Sequence, residues 1–168
     1  SSPLHDIGKV GIPDRILLKP GRLTPDEYTI MKKHAALGGD IIRDLIKQGQ
    51  DPGFLRMGMD IAYHHHERYD GNGYPFGLAG EDIPLAARIM SVADVYDALT
   101  AKRVYKDPMP HSKARTILVE GQGTQFDPHV LDAFLACEDQ FEHVARALAD
   151  DGVSALLLMS HGTKSIPA

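Results

Sequence analysis

Apolar residues recur at three- and four-residue steps along much of the chain, a spacing that predicts helices rather than strands. The clearest helix start is Thr24-Pro25-Asp26-Glu27, where a capping threonine, a first-turn proline and a capping-box glutamate occur together. The residues that then share one face are Ile30, His34, Leu37, Ile41 and Leu45, with Met31, Gly38 and Ile42 beside them. We therefore expect a helix that begins after Thr24 and turns this face inward.

Two more helices are predicted in the middle of the chain. The first spans about residues 54–66, and its expected inward residues are Phe54, Met57, Ile61 and His65. The second spans about residues 84–102 and is apolar on nearly every face, which predicts a buried central helix. Asp94 lies in the middle of this apolar run, where an unpaired carboxylate is costly to bury.

Shorter elements are predicted around these helices. They are a helical turn at residues 4–9, a proline-bracketed helix at 11–21, a turn at 48–52, a glycine-rich loop at 68–82, and helices at 112–120, from 127 and at 141–148. Residues 155–159 fit either a strand or a short packing helix. The expected fold is an all-α bundle of roughly six or seven helices, with one domain at 1–148 and a tail at 149–168.

Composition and charge narrow the classes of partner. The 168 residues are 43% hydrophobic and 24% charged, which is ordinary for a globular protein that buries a substantial core. The formal net charge of -5 provides no general basic surface for a DNA or RNA polymer. A small anionic substrate remains compatible with this charge, because a few local cations and metal ions suffice to bind it.

The cysteine content and the lack of long apolar runs favour a cytoplasmic location. Cys137 is the single cysteine and has no internal disulfide partner, which suits a reducing compartment. No apolar run approaches the ~20 residues that span a bilayer, and no signal peptide is visible.

A set of histidines and carboxylates marks the candidate chemistry. Its members are His5, Asp6, His34, His65, His66 and Asp94. Most of them also have an ordinary structural explanation. A lone His-Asp pair is found in capped turns, a buried histidine often makes one hydrogen bond in the core, and histidines at a helix end interact with the helix dipole. A purely structural role explains Asp94 least well, since a buried carboxylate needs a metal ion or another cation.

Taken together, these residues predict a metal site with open positions. Four histidines and two carboxylates exceed the four ligands of a closed structural zinc site, and donors without cysteine favour iron or manganese. Adjacent metal ions about 3.5–4 Å apart activate water and stabilise a phosphoryl transition state. Lys9, Arg103 and Lys106 are the candidate phosphate-binding cations, although a solvated helix end also explains the last two. Hydrolysis of a phosphate ester is the predicted reaction.

Three motifs together resemble a known family. His5-Asp6 with Lys9 is similar to the signature of the HD superfamily of metal-dependent phosphohydrolases. Together with the segments 65–75 (HHERYDGNGYP) and 93–99 (ADVYDAL), this pair resembles the HD-GYP subfamily of bacterial cyclic di-GMP phosphodiesterases. The resemblance runs from about Pro3 to Phe141 and implies an HD-domain helical bundle with a glycine-rich GYP loop.

The resemblance also implies roles for individual residues. The implied ligands of two or three iron or manganese ions are His5, Asp6, His34, His65, His66 and Asp94, with Asp6 as the bridging, catalytic carboxylate. Lys9 is implied to contact a substrate phosphate close to the metals, and Arg103 and Lys106 to contact it more peripherally. The loop residues Gly73, Tyr74 and Pro75 are associated in the family with docking to diguanylate cyclase (GGDEF) domains.

The family places a ligand-bearing helix before the His-Asp pair that residues 1–168 do not include, so an incomplete site is expected.

Three alternatives for the function stay open. The substrate is either cyclic di-GMP, opened to pGpG and further to GMP, or another cyclic dinucleotide such as cyclic GMP-AMP. A non-catalytic sensor that docks through the Tyr74 loop is the third alternative. Four histidines are expected to be ordinary surface residues: His111, His129, His143 and His161.

Overall fold

A computed structural model describes residues 4–49, 53–101 and 108–150 of the chain. Within these ranges the regular structure is helical, apart from one isolated bridge between Gln122 and Phe126, so the predicted all-α class is confirmed. Its elements are two 3-10 helices, Ile7–Gly11 and Gly80–Asp82, and the helices α1 Asp14–Leu17, α2 Pro25–Met31, α3 Lys33–Lys47, α4 Gly53–His64, α5 Leu85–Thr100, α6 His111–Glu120, α7 Pro128–Ala136 and α8 Glu138–Asp150. No helix in the described ranges has the length and apolar character to cross a membrane.

The predicted capping box starts α2. The Thr24 side chain accepts a hydrogen bond from the Glu27 amide, and the Glu27 carboxylate accepts one from the Thr24 amide. Sequence periodicity predicted one inward face through Leu45, but the hydrogen-bonding pattern breaks at Lys32 and Leu45 is exposed. The face of α3 that is buried instead comprises His34, Ala35, Gly38, Gly39 and Ile42.

Glycines explain why the buried face of α3 is shifted. A Cβ atom on Gly8 would lie 2.0 Å from the His34 carbonyl oxygen, so the first 3-10 helix crosses α3 in backbone contact. A Cβ atom on Gly39 would lie 2.3 Å from the Tyr63 ring, so this ring of α4 lies directly on the backbone of α3. Close helix contact therefore occurs where the side chains are smallest, and not along the stripe of large apolar residues.

The expected inward positions of Phe54 and Met57 on α4 are wrong. These side chains are 64% and 57% exposed, whereas Gly58, Ile61 and Ala62 are buried. The physical reason is again the close approach to α3, because the small residues of α4 face α3 and the large ones at its start lie on the outer side.

Helix α5 is central but is not buried on every face, which corrects the second helix prediction. Leu85 and Ile89 in its first half are more than half exposed. Beyond them α5 packs on α4, α6 and α7. With α6, α7 and the loop between them it forms an apolar core, whose buried members are Val92, Tyr96, Ala114, Leu118, Phe126, Leu131 and Phe134. Phe141 at the start of α8 packs against this core.

Two polar contacts attach α5 to the helices around it. Arg88 donates a hydrogen bond to the buried carboxylate of Asp127, which also accepts from the His129 amide and so caps α7. His111 was expected on the surface, but its Nδ1 lies 2.9 Å from the Tyr96 hydroxyl oxygen and its side chain is only 13% exposed. His129 and His143 are exposed as expected, and His161 lies outside the described residues.

Candidate metal centre

Six predicted site residues from four segments of the chain meet at one place. His5 and Asp6 lie in the turn before the first 3-10 helix, His34 lies on α3, His65 and His66 follow α4, and Asp94 lies on α5. The His5 Nε2 atom is 3.1 Å from Asp6 Oδ2 and 3.7 Å from Asp94 Oδ1. The His34 Nε2 atom is 3.5 Å from Asp6 Oδ1. One ring nitrogen from each of His34, His65 and His66 lies within 4.8 Å of the others.

Local backbone structure accounts for this convergence. The contact between Gly8 and α3 places the His5-Asp6 turn directly over His34. At the end of α4, the His65 amide still donates to the Ile61 carbonyl, and the chain then turns. The rings of His65 and His66 therefore lie side by side, with centroids 4.0 Å apart. Both rings also contact the ring of His34.

Backbone carbonyls determine which nitrogen of two of these histidines carries the proton. His34 Nδ1 donates to the Met31 carbonyl at 2.8 Å, and His65 Nδ1 donates to the Ile61 carbonyl at 3.0 Å. Because a carbonyl only accepts, the Nε2 atoms of the neutral rings carry lone pairs. These two Nε2 atoms are 3.4 Å apart, so two acceptors face each other. The two lone pairs repel each other, whereas a bound cation would be coordinated by both. The donor set therefore fits a metal ion.

The charges in the cluster also suit a metal site. Burial, followed by the charge of His5, lowers the pKa of His65 to about 4. Burial, followed by the charge of His65, lowers the pKa of His66 to about 2. Burial opposes ionisation of Asp6, but hydrogen bonds from His5 and Lys9 outweigh it and hold the pKa of that carboxyl below its ordinary value. At neutral pH His65 and His66 are therefore neutral imidazoles and Asp6 is an ionised carboxylate, which are the protonation states that a metal ion requires.

An open cavity of about 560 Å³ adjoins the cluster. Its lining includes His34, His65, His66 and Asp94, together with Lys9. The Lys9 ammonium donates to Asp6, and its side chain is 41% exposed, so the cation lies between the carboxylate and the cavity. Arg103 and Lys106, the other predicted phosphate-binding cations, lie outside the described residues.

The loop after His66 folds back over the cluster. Its Glu67 side chain is buried and accepts hydrogen bonds from the amides of Phe76 and Leu78, at 2.7 and 3.1 Å. A Cβ atom on Gly73 would lie 2.3 Å from the backbone nitrogen of Arg68, so the loop folds back this closely only with glycine at position 73. Sequence reasoning missed this role of Glu67, although an acidic residue directly after two candidate ligands was a usable signal.

The three residues of the predicted partner loop differ in exposure. The Tyr74 ring is half-buried and stacks on His66, with centroids 4.8 Å apart and an interplanar angle of 29°. Burial, followed by the charge and hydrogen bond of Tyr28, raises the pKa of the Tyr74 phenol above its ordinary value. Pro75 and the following Phe76 are exposed, whereas Gly73 is half-buried. Tyr74 thus belongs to the cavity wall, and the outer surface of the loop begins at Pro75.

The match to a family model identifies the domain. The HD domain model covers residues 1–130. The chain belongs to the HD domain family. HD domains are metal-dependent phosphohydrolases, and the described residues of this one include a histidine cluster with the spacing of a metal site.

Curated relatives of this HD domain include phosphodiesterases. It is 54% identical over 152 residues to a probable cyclic di-GMP phosphodiesterase of Vibrio cholerae serotype O1, a match that covers 90% of this chain and 34% of that protein. A cyclic di-GMP phosphodiesterase of Thermotoga maritima is 45% identical over 154 residues, covering 92% of this chain and 40% of the relative. A 3'3'-cGAMP-specific phosphodiesterase 2 of Vibrio cholerae is 43% identical over 150 residues, covering 89% and 28%. The chain spans about a third of the length of these relatives, whose names agree with the predicted HD-GYP grouping.

Proposed function

We propose that this HD domain hydrolyses the phosphodiester bonds of cyclic di-GMP, giving pGpG and then GMP, and so lowers the level of this bacterial second messenger in the cytoplasm. The observation that carries the proposal is the pair of Nε2 atoms of His34 and His65, which face each other beside Asp6. Such a pair has no stabilising role in a metal-free core. The names of the relatives point to the same reaction class.

In this proposal the cluster holds two or three divalent iron or manganese ions. The proposed ligands are His5, Asp6, His34, His65, His66 and Asp94. The two oxygens of Asp6 face different histidines, Oδ2 facing His5 and Oδ1 facing His34, which suits a carboxylate that bridges two ions. When bound, such ions lower the pKa of coordinated water and stabilise the negative charge on phosphoryl oxygens.

The residues of the chain position the substrate around that centre. Lys9 lies at the mouth of the cluster, where its ammonium would exchange part of its contact with Asp6 for a phosphate oxygen. Arg103 and Lys106 are the proposed outer phosphate contacts, as the family resemblance implies. Tyr74 covers one face of His66 and limits the access of bulk water to that side of the cluster.

Metal content and turnover, measured together on the complete protein, test this function. We expect His65→Ala and Asp94→Ala to lose bound iron or manganese, measured by mass spectrometry, and to lose cyclic di-GMP hydrolysis, measured by chromatography. His129→Ala is the matched control, because His129 is exposed and is not a proposed ligand. Full turnover by the metal-free double variant would exclude the mechanism. Metal binding without turnover by the unaltered protein would favour a non-catalytic sensor.

A second candidate substrate is 3'3'-cGAMP. One relative, which is 43% identical, is named as a 3'3'-cGAMP-specific phosphodiesterase. The cluster acts on phosphodiester bonds, which both cyclic dinucleotides contain, so it does not by itself select between the two substrates. Comparison of kcat/KM for the two dinucleotides on the complete protein would assign the substrate.

We also propose that the surface around Gly73, Tyr74 and Pro75 docks GGDEF-domain proteins. The exposure of Pro75 and Phe76 supports this, while the Tyr74 ring faces the cavity. Replacement of Phe76 by serine is expected to weaken binding to a purified GGDEF domain and to leave metal content unchanged. Unaltered binding would remove this surface from the proposal.

A further inference from the structure

A tyrosine with a lysine beside its ring forms a second wall of the cavity, apart from the metal-binding cluster. Tyr28 on α2 meets Tyr74 edge to face, with ring centroids 6.5 Å apart and an interplanar angle of 83°. The Lys32 ammonium lies 5.4 Å from the Tyr28 ring centroid and 5.7 Å from that of Tyr74. Neither Tyr28 nor Lys32 belongs to a motif recognisable in the sequence.

This wall extends from the cluster to the mouth of the cavity. His66 stacks on Tyr74, and Tyr74 contacts Tyr28, so two ring contacts connect a proposed ligand with the outermost ring. Tyr28 and Tyr74 both line the cavity that contains His34, His65 and Asp94. Tyr28 is therefore two ring contacts away from the proposed ligand His66, on the same cavity.

Tyr28 contacts Tyr74 and Lys32 but adds nothing to the buried core. The Tyr28 side chain is 49% exposed, and α2 contributes no buried residue to the core. The Lys32 ammonium lies over the faces of the Tyr28 and Tyr74 rings, a cation–π contact that holds the exposed ring in place. An exposed ring held by a cation at a cavity mouth is a stacking platform.

We infer that Tyr28 and Lys32 form the nucleobase-binding edge of this site. This inference rests on the proposed cyclic dinucleotide phosphodiesterase function. Tyr28 stacks on one base of the substrate with the ring face that Lys32 leaves open, and Lys32 holds the ring in position from the other face. The cluster then acts on the phosphodiester bond while α2 recognises the base.

Two substrates separate base recognition from phosphodiester hydrolysis. Cyclic di-GMP carries bases, whereas methyl p-nitrophenyl phosphate is a diester without a base, and its single ring departs as the leaving group. In the complete metal-loaded protein, Tyr28→Ala is expected to raise KM for cyclic di-GMP about tenfold, the effect of losing one stacked base. We expect kcat/KM for the small diester and the metal content to stay within about twofold of the unaltered protein.

Matched variants sharpen the test. Tyr28→Phe keeps the ring and is expected to retain the KM of the unaltered protein, whereas Lys32→Met removes the charge and is expected to raise it. Phe54→Ala alters an equally exposed aromatic residue away from the cavity lining and is expected to change neither substrate. Equal losses on both substrates, or an unchanged KM for cyclic di-GMP, would overturn the inference. An unchanged KM with weakened binding to a GGDEF domain would assign Tyr28 to partner docking instead.

Failure of the proposed function gives a different result. If the unaltered protein hydrolyses neither substrate, the phosphodiesterase proposal fails, and calorimetry with cyclic di-GMP still examines Tyr28. A binding constant that Tyr28→Ala leaves unchanged would then overturn the inference, and an affinity reduced about tenfold would support it.

Discussion

Helix α5 belongs to two regions with opposite chemistry. On one side Asp94 faces a cluster of buried and half-buried histidines and carboxylates. On another side Val92 and Tyr96 pack into the apolar core of α6 and α7. The apolar core is satisfied by its own side chains: Leu118 and Leu131 have no exposed surface, and the rings of Phe134 and Phe141 meet edge to face.

The cluster is not satisfied in the same way. One of its contacts joins two nitrogen lone pairs, those of His34 and His65, at 3.4 Å. Burial of the imidazoles disfavours their protonated forms. It contributes less to the free energy of folding than burial of apolar surface does. We therefore expect the folding free energy to reside mainly in the apolar core, and the cluster to contribute stability only with a cation bound.

The largest expected effect is that of Phe134→Ala in the apolar core. Phe134 is 4% exposed and contacts the rings of Tyr96 and Phe141. Removal of this ring leaves a cavity, and the free energy of unfolding should fall by about 3–5 kcal/mol. Urea denaturation with and without Mn²⁺ measures it, and the loss should be the same in both conditions. A loss confined to the metal-loaded protein would contradict the division between the two regions.

The intermediate effect concerns His65→Leu, which alters a side chain as buried as Phe134. Without metal, we expect no loss of stability, because a buried imidazole is replaced by an apolar side chain of similar size. With Mn²⁺ at about 100 times its dissociation constant, the unaltered protein should gain about 2.7 kcal/mol, and His65→Leu should not. Thermal unfolding over a Mn²⁺ titration measures the difference. A metal-dependent gain retained by His65→Leu would remove His65 from the ligand set.

The sequence predicted the members of the cluster better than their surroundings. Asp94 was recognisable from its apolar surroundings, whereas His5, Asp6 and His34 have ordinary explanations singly and were identified as a set and by the family resemblance. The structure brings these residues together with His65 and His66. Their role as metal ligands remains a proposal. The all-α class followed from helical periodicity, which depends on local spacing alone.

Errors arose where packing depends on residues distant in sequence. Periodicity gave Phe54 and Met57 an inward position, but α4 meets α3 through Ala62 on Gly38 and through the Tyr63 ring on Gly39. The positions of Glu67 and Tyr28 depend on a loop that folds back and on a neighbouring helix, neither of which has a local signature. Small residues at helix contacts were the missed signal, since they mark close backbone approach and large residues do not.

The smallest expected effect comes from Thr24→Ala, which belongs to neither region. The Thr24 hydroxyl accepts from the Glu27 amide at the start of α2, and α2 holds no member of the apolar core and no proposed ligand. Loss of this cap should lower the free energy of unfolding by about 1 kcal/mol. Thr24→Ser keeps the hydroxyl and is the control, with stability expected close to that of the unaltered protein. Because the cap acts locally, the Mn²⁺-dependent gain should be identical in all three proteins, and a smaller gain in Thr24→Ala alone would show that α2 supports the cluster through Tyr28 and Tyr74.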